Sequence, residues 1–129
     1  MRVLALDFGA ARTGVAVSDA TGTIAQPLDV IERAASRDGL AKVAEVVREH
    51  DVECVVVGLP LTLGGRRGSQ ALETEAFVRE LRQALDVPVE TYDERFTTTL
   101  ASKGAGTAPE DARAAAHLLE SYLARTGTR

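Results

Sequence analysis

The residues of this sequence best suited to chemistry are acids placed where predicted strands end or predicted helices begin. Asp7 closes the apolar run RVLALD and is followed by Phe8-Gly9. Asp93 and Glu94 open the segment DERFTTT (93–99), directly after the run VPVETY (87–92). Asp111 falls on the first turn of a predicted final helix that starts at Pro109. Each acid also has a plainer reading. Asp7 suits a turn, and the others complement the positive end of a helix. Their convergence would mean more. Three carboxylates brought together repel and are costly unless a cation joins them. Hard divalent cations such as Mg²⁺ prefer oxygen ligands. Two such ions about 3.5–4 Å apart can activate water and stabilise a leaving oxygen in phosphodiester cleavage. The expectation is a metal-dependent phosphoryl-transfer site.

Basic residues accompany these acids. Arg12 belongs to the hairpin loop that faces the same end of the sheet as Asp7, and Gly14 permits close approach of another group. Arg95 is placed to neutralise an adjacent acid, and Thr97 to cap a following helix. In VVGLPLTLGGRRGSQ (56–70), four glycines (Gly58, Gly64, Gly65, Gly68) precede a helix predicted to start near Ser69. Backbone N–H groups at a helix N-terminus bind phosphate, and Arg66 and Arg67 would add charge. A mobile surface loop is the plainer reading. The segment lacks the lysine of a P-loop, which argues against a Walker-type NTP site.

The elements that must position these groups read as follows. Strands are predicted over 2–7, 13–19, 23–31, 52–60 and 87–92, with Pro27 pushing the third toward an edge. Short connections make the first three antiparallel neighbours. Ser36 is a predicted N-cap for a helix with Leu40, Val43, Ala44 and Val47 on one face. A second helix covers about 69–85 with Leu72, Ala76, Leu81 and Leu85 at helical spacing. A short one runs from about Thr97 to near Gly104. The last reaches about Thr126, with Ala112, Ala115, Ala116, Leu119, Tyr122 and Leu123 on one stripe. Strand–helix–strand units impose parallel pairing and right-handed crossovers. The predicted fold class is therefore α/β: a mixed five-stranded sheet, its first three strands antiparallel, with helices on both faces.

Composition narrows the class. The chain has 129 residues, 45% hydrophobic and 26% charged, which is ordinary for one globular domain. No apolar run approaches the ~18 residues of a membrane span, and Asp7 comes too early for a secretory leader. The single cysteine, Cys54, fits a reducing compartment, so a cytoplasmic location without membrane association is expected. Net charge is −4, unusual for a nucleic-acid binder unless some acids hold a cation that reverses the local sign. The few aromatics (Phe8, Phe77, Tyr92, Phe96, Tyr122) make a base-stacking sheet platform unlike this chain. His50 and His117 have no ligand partner at useful spacing.

Taken in order, LALDFGAARTGVAVSD, VVGLPLTLGGRRGSQALETEAFVREL, DERFTTTLA and DARAAAHLLESYL resemble the YqgF family, also called RuvX, over nearly the whole chain. The resemblance implies a single RNase H-like nuclease domain over 1–129 and action on the 5′ end of pre-16S ribosomal RNA in the cytoplasm. It also implies an acidic triad at Asp7, Glu94 and Asp111 holding Mg²⁺ or Mn²⁺. Asp93 is a candidate fourth acid. Arg12, Arg66, Arg67 and Arg95 are the candidate substrate contacts, with pre-rRNA or branched DNA as partner and a monomer or homodimer as the working form. A Holliday junction resolvase and a non-catalytic RNA-binding assembly factor are the alternatives. An ATP-binding module of the actin–sugar-kinase type is disfavoured by length. Two departures stand out: only SKGAGTAPE separates DERFTTTLA from Asp111, and Gly64 stands where members often carry Asp.

Overall fold

The computed structural model describes residues 1–62, 64–97 and 109–126, and their elements follow the predicted order. β1 (Val3–Asp7), β2 (Arg12–Ser18) and β3 (Ala25–Glu32) form an antiparallel meander. α1 (Arg37–Glu49) leads to β4 (Cys54–Leu59), and α2 (Ser69–Ala84) to β5 (Val89–Asp93). These two strands add in parallel on the other side of β1, giving the spatial order β3-β2-β1-β4-β5. A 3-10 turn, Glu94–Phe96, follows β5, and α3 spans Glu110–Thr126. Beyond Thr97, the helix expected to run to near Gly104 lies outside the described residues.

Alternation along the strands sorts the core into two layers. Leu4, Leu6, Val15, Val17, Val55 and Val57 pack on α1 and α2 through Val43, Val47, Phe77 and Leu81. Val3, Ala5, Ala16, Cys54, Val56 and Tyr92 pack on α3 through Ala115, Ala116, Leu119 and Tyr122. Strands covered on both faces need no polar alternation, which accounts for the near-continuous apolar runs of β1 and β4. Pro27 lies on the edge strand β3 as expected, and the ladder shifts register between Val15 and Ala16 opposite it. Ser36 caps α1, its hydroxyl accepting from the Gly39 N–H at 3.0 Å.

The apolar stripe expected on α2 is rotated. Ala71, Thr74, Phe77, Val78 and Leu81 are buried, whereas Leu72 is 55% exposed. Phe77 explains the difference: its ring stacks on Phe8 with centroids 4.4 Å apart, and seating that large side chain carries Leu72 outward. Among the described residues no helix is long and apolar enough to cross a membrane.

The α3 layer is built of small residues on both sides, Ala5 and Ala16 facing Ala115 and Ala116. The helix therefore lies close to the sheet. Its first turn rests on bare backbone of β2, where a Cβ at Gly14 would overlap the Asp111 carbonyl oxygen. Gly14→Ala is expected to destabilise the protein by about 1–3 kcal/mol or more, because the opposing atom is main chain and cannot swing aside. A thermal melt checks this. A Tm within a degree or so of the parent would show that α3 is not seated on Gly14.

Candidate active site

The same alternation that sorts the core places the acids. Along β1, residues 3, 5 and 7 share the α3 face; along β4, residues 54, 56 and 58 do so. Asp7 thus continues the line of Val3 and Ala5 at the carboxyl end of β1. Beside it on β4, one step beyond the Leu6–Val57 pair, stands Gly58. Gly58 is in turn opposite Tyr92 of β5, and the 3-10 turn after β5 folds Glu94 back over it. A Cβ at Gly58 would lie 2.6 Å from Glu94 Oε2 and 2.9 Å from its Cγ. Two carboxylates two strands apart, at about 4.8 Å per strand, meet because the strand between them lacks a side chain there.

The pair is electrostatically strained. Burial raises the Asp7 pKa; the hydrogen bond from Glu94 opposes that rise, and the negative charge of Asp111 adds to it. Burial also raises Glu94, to about 7, with the Asp7 charge, its hydrogen bond to Asp7 and the Asp93 charge contributing in the same direction. Glu94 is therefore the member that carries the shared proton, and Asp7 the acceptor.

The third acid stands differently. Asp111 is near enough for its charge to act on Asp7, but its Oδ2 lies 3.1 Å from Arg12 Nε. Among the described residues, no group of three or more His, Cys, Asp or Glu side chains is arranged to hold a metal ion. A third carboxylate joining the pair would add repulsion, and the exposed Arg12 guanidinium holds it at the rim instead. The pair itself suits a hard divalent cation: two oxygen donors in contact, sharing a proton that a cation would displace.

Asp93 turns away from this pair. Its Oδ1 accepts from the Arg95 backbone N–H at 2.9 Å and from Arg95 Nε at 3.1 Å, and its Oδ2 accepts from Nε and Nη2 at 3.0 and 2.6 Å. That chelate holds the Asp93 carboxyl below its ordinary pKa. It also puts residues 93 and 95 on one side of the turn, which leaves Glu94 to the other. The Arg95 guanidinium lies beneath the glycine-rich segment, where a Cβ at Gly65 would be 3.2 Å from Nη1. That segment is a tight hairpin: Leu61 bridges to Arg67, and Thr62 N–H donates to the Arg66 carbonyl at 3.0 Å. Arg67 pairs with Glu75 of α2 at 3.1 Å. Arg66 is exposed, and among the described residues no ion pair engages its guanidinium.

A pocket of about 170 Å³ opens on the acid pair, lined by Asp7, Glu94, Thr97, Ala114 and Leu118. The sequence reading missed Gly58 as the gap, having assigned it to loop flexibility. It missed Thr97, Ala114 and Leu118 as walls. Ala114 and Leu118 follow Asp111 at helical spacing, which was the available clue. Phe8 is a core residue stacked on Phe77. Phe96 is 45% exposed, with the Arg125 guanidinium 3.9 Å above its ring.

An open mixed sheet of this order, carrying acids at one end and a helix across them, is an RNase H-like nuclease fold. The chain aligns with RuvC from Thermus thermophilus, solved in complex with a Holliday junction substrate, at a TM-score of 0.63 and 22% identity; 98% of this chain and 96% of that one are covered. The family model described as "RuvX: Holliday junction resolvase" matches residues 1–125, and the chain belongs to that family. A relative from Syntrophomonas wolfei is 37% identical over 132 residues, covering 95% of this chain and 94% of the relative. One from Chloroflexus aurantiacus is 46% identical over 101 residues, covering 78% of this chain and 66% of the relative. Both are provisionally named pre-16S rRNA nucleases.

Two outcomes follow from the pair. Glu94 binds its proton more tightly folded than unfolded, so stability falls as pH rises from its ordinary value of 4.5 to about 7. The Tm of the metal-free protein is expected to decline between about pH 5 and about pH 8. Glu94→Gln should flatten that decline and melt above the parent at the alkaline end. Gly58→Ala meets a flexible side chain rather than main chain, so the fold should persist while Glu94 is pushed off Asp7. A Gly58→Ala protein whose Tm tracks pH as the parent's does would show that the glycine does not set the pair.

Proposed function

We propose that this chain is a divalent-cation-dependent endonuclease that hydrolyses phosphodiester bonds in the cytoplasm, acting on the 5′ end of pre-16S rRNA. The Asp7–Glu94 pair at a pocket carries the reading, because two partly buried carboxyls held in contact, one of them forced to keep its proton, are costly unless they serve a ligand. The substrate follows from the relatives, which share a third or more of their residues with this chain and are named for pre-16S rRNA.

The residues divide the work. Asp7 and Glu94 would hold the cation, with Asp111 as a third ligand once Arg12 turns from it to a backbone phosphate. Mg²⁺ or Mn²⁺ there would supply Lewis acidity toward the phosphoryl oxygens and lower the pKa of water. Asp93 is committed to Arg95 and serves as the brace of the turn rather than as a fourth acid. Arg66, at the hairpin tip, and Arg67 beside it would contact the phosphate backbone, while Arg95 supports the hairpin from below. Among the described residues, Asp7, Glu94, Thr97, Ala114 and Leu118 of one copy line the pocket, which supports a monomer as the working form. Symmetric cutting of a four-way DNA junction would require two copies.

Labelled pre-16S RNA and a four-way DNA junction, each incubated with Mg²⁺, Mn²⁺ or EDTA, test the reading. Divalent-dependent cutting of the RNA is expected, with Asp7→Asn lowering it about 100-fold or more. Preference for the junction would replace the substrate. Binding without cutting under every cation would replace the activity by an RNA-binding role, and an Asp7→Asn protein that cuts normally would move the chemistry elsewhere. Arg66→Ala is expected to weaken RNA binding regardless of sequence and to reduce the slope of log K against log salt by about 1. An unchanged slope would take Arg66 off the RNA.

A further inference from the structure

The strand directions send each described connection to one of two ends of the sheet, and the arginines are unevenly divided between them. β1, β3, β4 and β5 finish, and β2 begins, at the end that holds the acid pair. The connections there bring Arg33, Arg66, Arg67 and Arg95, with Arg12 opening β2. The three connections at the other end, residues 19–24, 50–53 and 85–88, contain Asp19, Asp51, Glu53 and Asp86 and no lysine or arginine. Arg2 also lies at that end, its guanidinium donating to the Ser18 carbonyl at 3.4 Å. The net charge of −4 therefore conceals a gathering of basic side chains at the end where a polyanion would have to meet the acids.

Arg33 is the member of this group that the site does not yet use. Arg66 and Arg67 stand on the β4–β5 side of the acids, whereas Arg33 ends the opposite edge, one residue past β3. Its backbone N–H donates to the Ala11 carbonyl at 3.0 Å, so it adjoins the turn that leads to Arg12. It is exposed, and among the described residues no ion pair engages its guanidinium. Its backbone is left-handed, with φ 48°, a conformation costly for a residue with a long side chain and more readily filled by Gly, Asn or Asp. The other non-glycine residue of this kind among the described ones, Asp51, is of such a type. The corner imposes the conformation. The Arg33 carbonyl accepts from the Ser36 N–H at 2.9 Å and the Ser36 hydroxyl at 2.7 Å. Ala34 is buried, and Gly39 of α1 sits so close that a Cβ there would overlap the Arg33 carbonyl oxygen. The fold thus prescribes the backbone of residue 33 and would be served better by glycine. A basic side chain kept on a strained, rigid corner, with no acid of the fold to pair with, suits a ligand.

We propose that Arg33 contacts a backbone phosphate of RNA lying across the carboxyl end of the sheet, on the β3 side of the acid pair, opposite the flank held by the Arg66–Arg67 hairpin. The proposal rests on the nuclease reading above and extends its substrate path to the β3 edge. Arg33→Gly removes the charge at a position whose backbone favours glycine, so it should melt no lower than the parent. Its affinity for a labelled pre-16S RNA, titrated in Ca²⁺ over a range of salt, should fall, and the slope of log K against log salt should shrink by about 1. Arg33→Lys should keep the parent slope. Arg48 is exposed in the last turn of α1, at the other end of the sheet, and Arg48→Ala should leave the slope unchanged. An Arg33→Gly slope equal to the parent's would overturn the proposal, as would an equal loss in Arg48→Ala. So would an Arg33→Gly protein that melts several degrees lower, since the side chain would then belong to the fold. A slope that shrinks on a four-way DNA junction but not on RNA would overturn it too. Cutting is scored separately in Mg²⁺. A parent that cuts no strand removes the nuclease reading, while a reduced Arg33→Gly slope still supports the contact. A parent that cuts, with the Arg33→Gly slope unchanged, keeps the reading and removes the contact.

Discussion

The contact between Asp7 and Glu94 over Gly58 is the constraint around which this molecule is arranged. Side by side, two ionised carboxylates would repel strongly in a partly buried setting. They coexist because one holds a proton, and Glu94 is the holder because both burial and the Asp7 charge disfavour its ionised form. The geometry that forces them together is not local. Asp7 ends β1, Glu94 follows β5, and β4 lies between them. Only a residue without a side chain at the facing position of β4 lets the carboxyls touch. The parallel register that aligns Gly58 with Tyr92 is therefore as much a part of the site as the acids are.

The α3 layer answers a related demand. On the opposite face, Phe77, Leu81, the leucines of β1 and Val55 and Val57 of β4 hold α1 and α2 at the distance large side chains impose. On the site face, alanines and Gly14 let α3 come down onto the sheet. This asymmetry of side-chain volume brings the first turn of α3 to the acid pair. It sets Asp111 at the rim and Ala114 and Leu118 in the wall. A bulkier α3 face would leave the same acids on the sheet with no roof over them.

The fold was largely legible because its signals are periodic. Near-continuous apolar runs gave β1 and β4, Pro27 gave the edge, and alanine spacing gave the face of α3. The site was legible as a set of acids but not as a geometry. Nothing local in the sequence says that Asp111 would pair with Arg12, or that Asp93 and Arg95 would chelate across a single turn. Both are choices among nearby charged partners decided by backbone direction. Gly58 was misread because a glycine in VVGLP looks like the beginning of a loop, whereas its role depends on a side chain 36 positions later in sequence. Leu72 was misplaced because the volume of Phe77, rather than the count of leucines, decides how α2 is turned.

The charge balance also takes on meaning once the pairs are known. A chain of net charge −4 should repel a polyanion, yet Arg12 and Arg95 stand beside acids of the site, and Arg66 and Arg67 belong to the hairpin over Arg95. Three of them are matched by acids: Arg12 by Asp111, Arg67 by Glu75 and Arg95 by Asp93. Exposed pairs such as the first two contribute about 0–1 kcal/mol each, so a phosphate can take the guanidinium at little cost to the fold. The Asp93–Arg95 chelate is the more enclosed, with side chains 17% and 36% exposed, and makes several short bonds within one turn. It is the pair least suited to exchange and best suited to hold a neighbour in place. The acids thus divide by how replaceable their arginines are. Asp111 and Glu75 hold exposed arginines loosely, while Asp93 spends its cation on fixing the direction of Glu94.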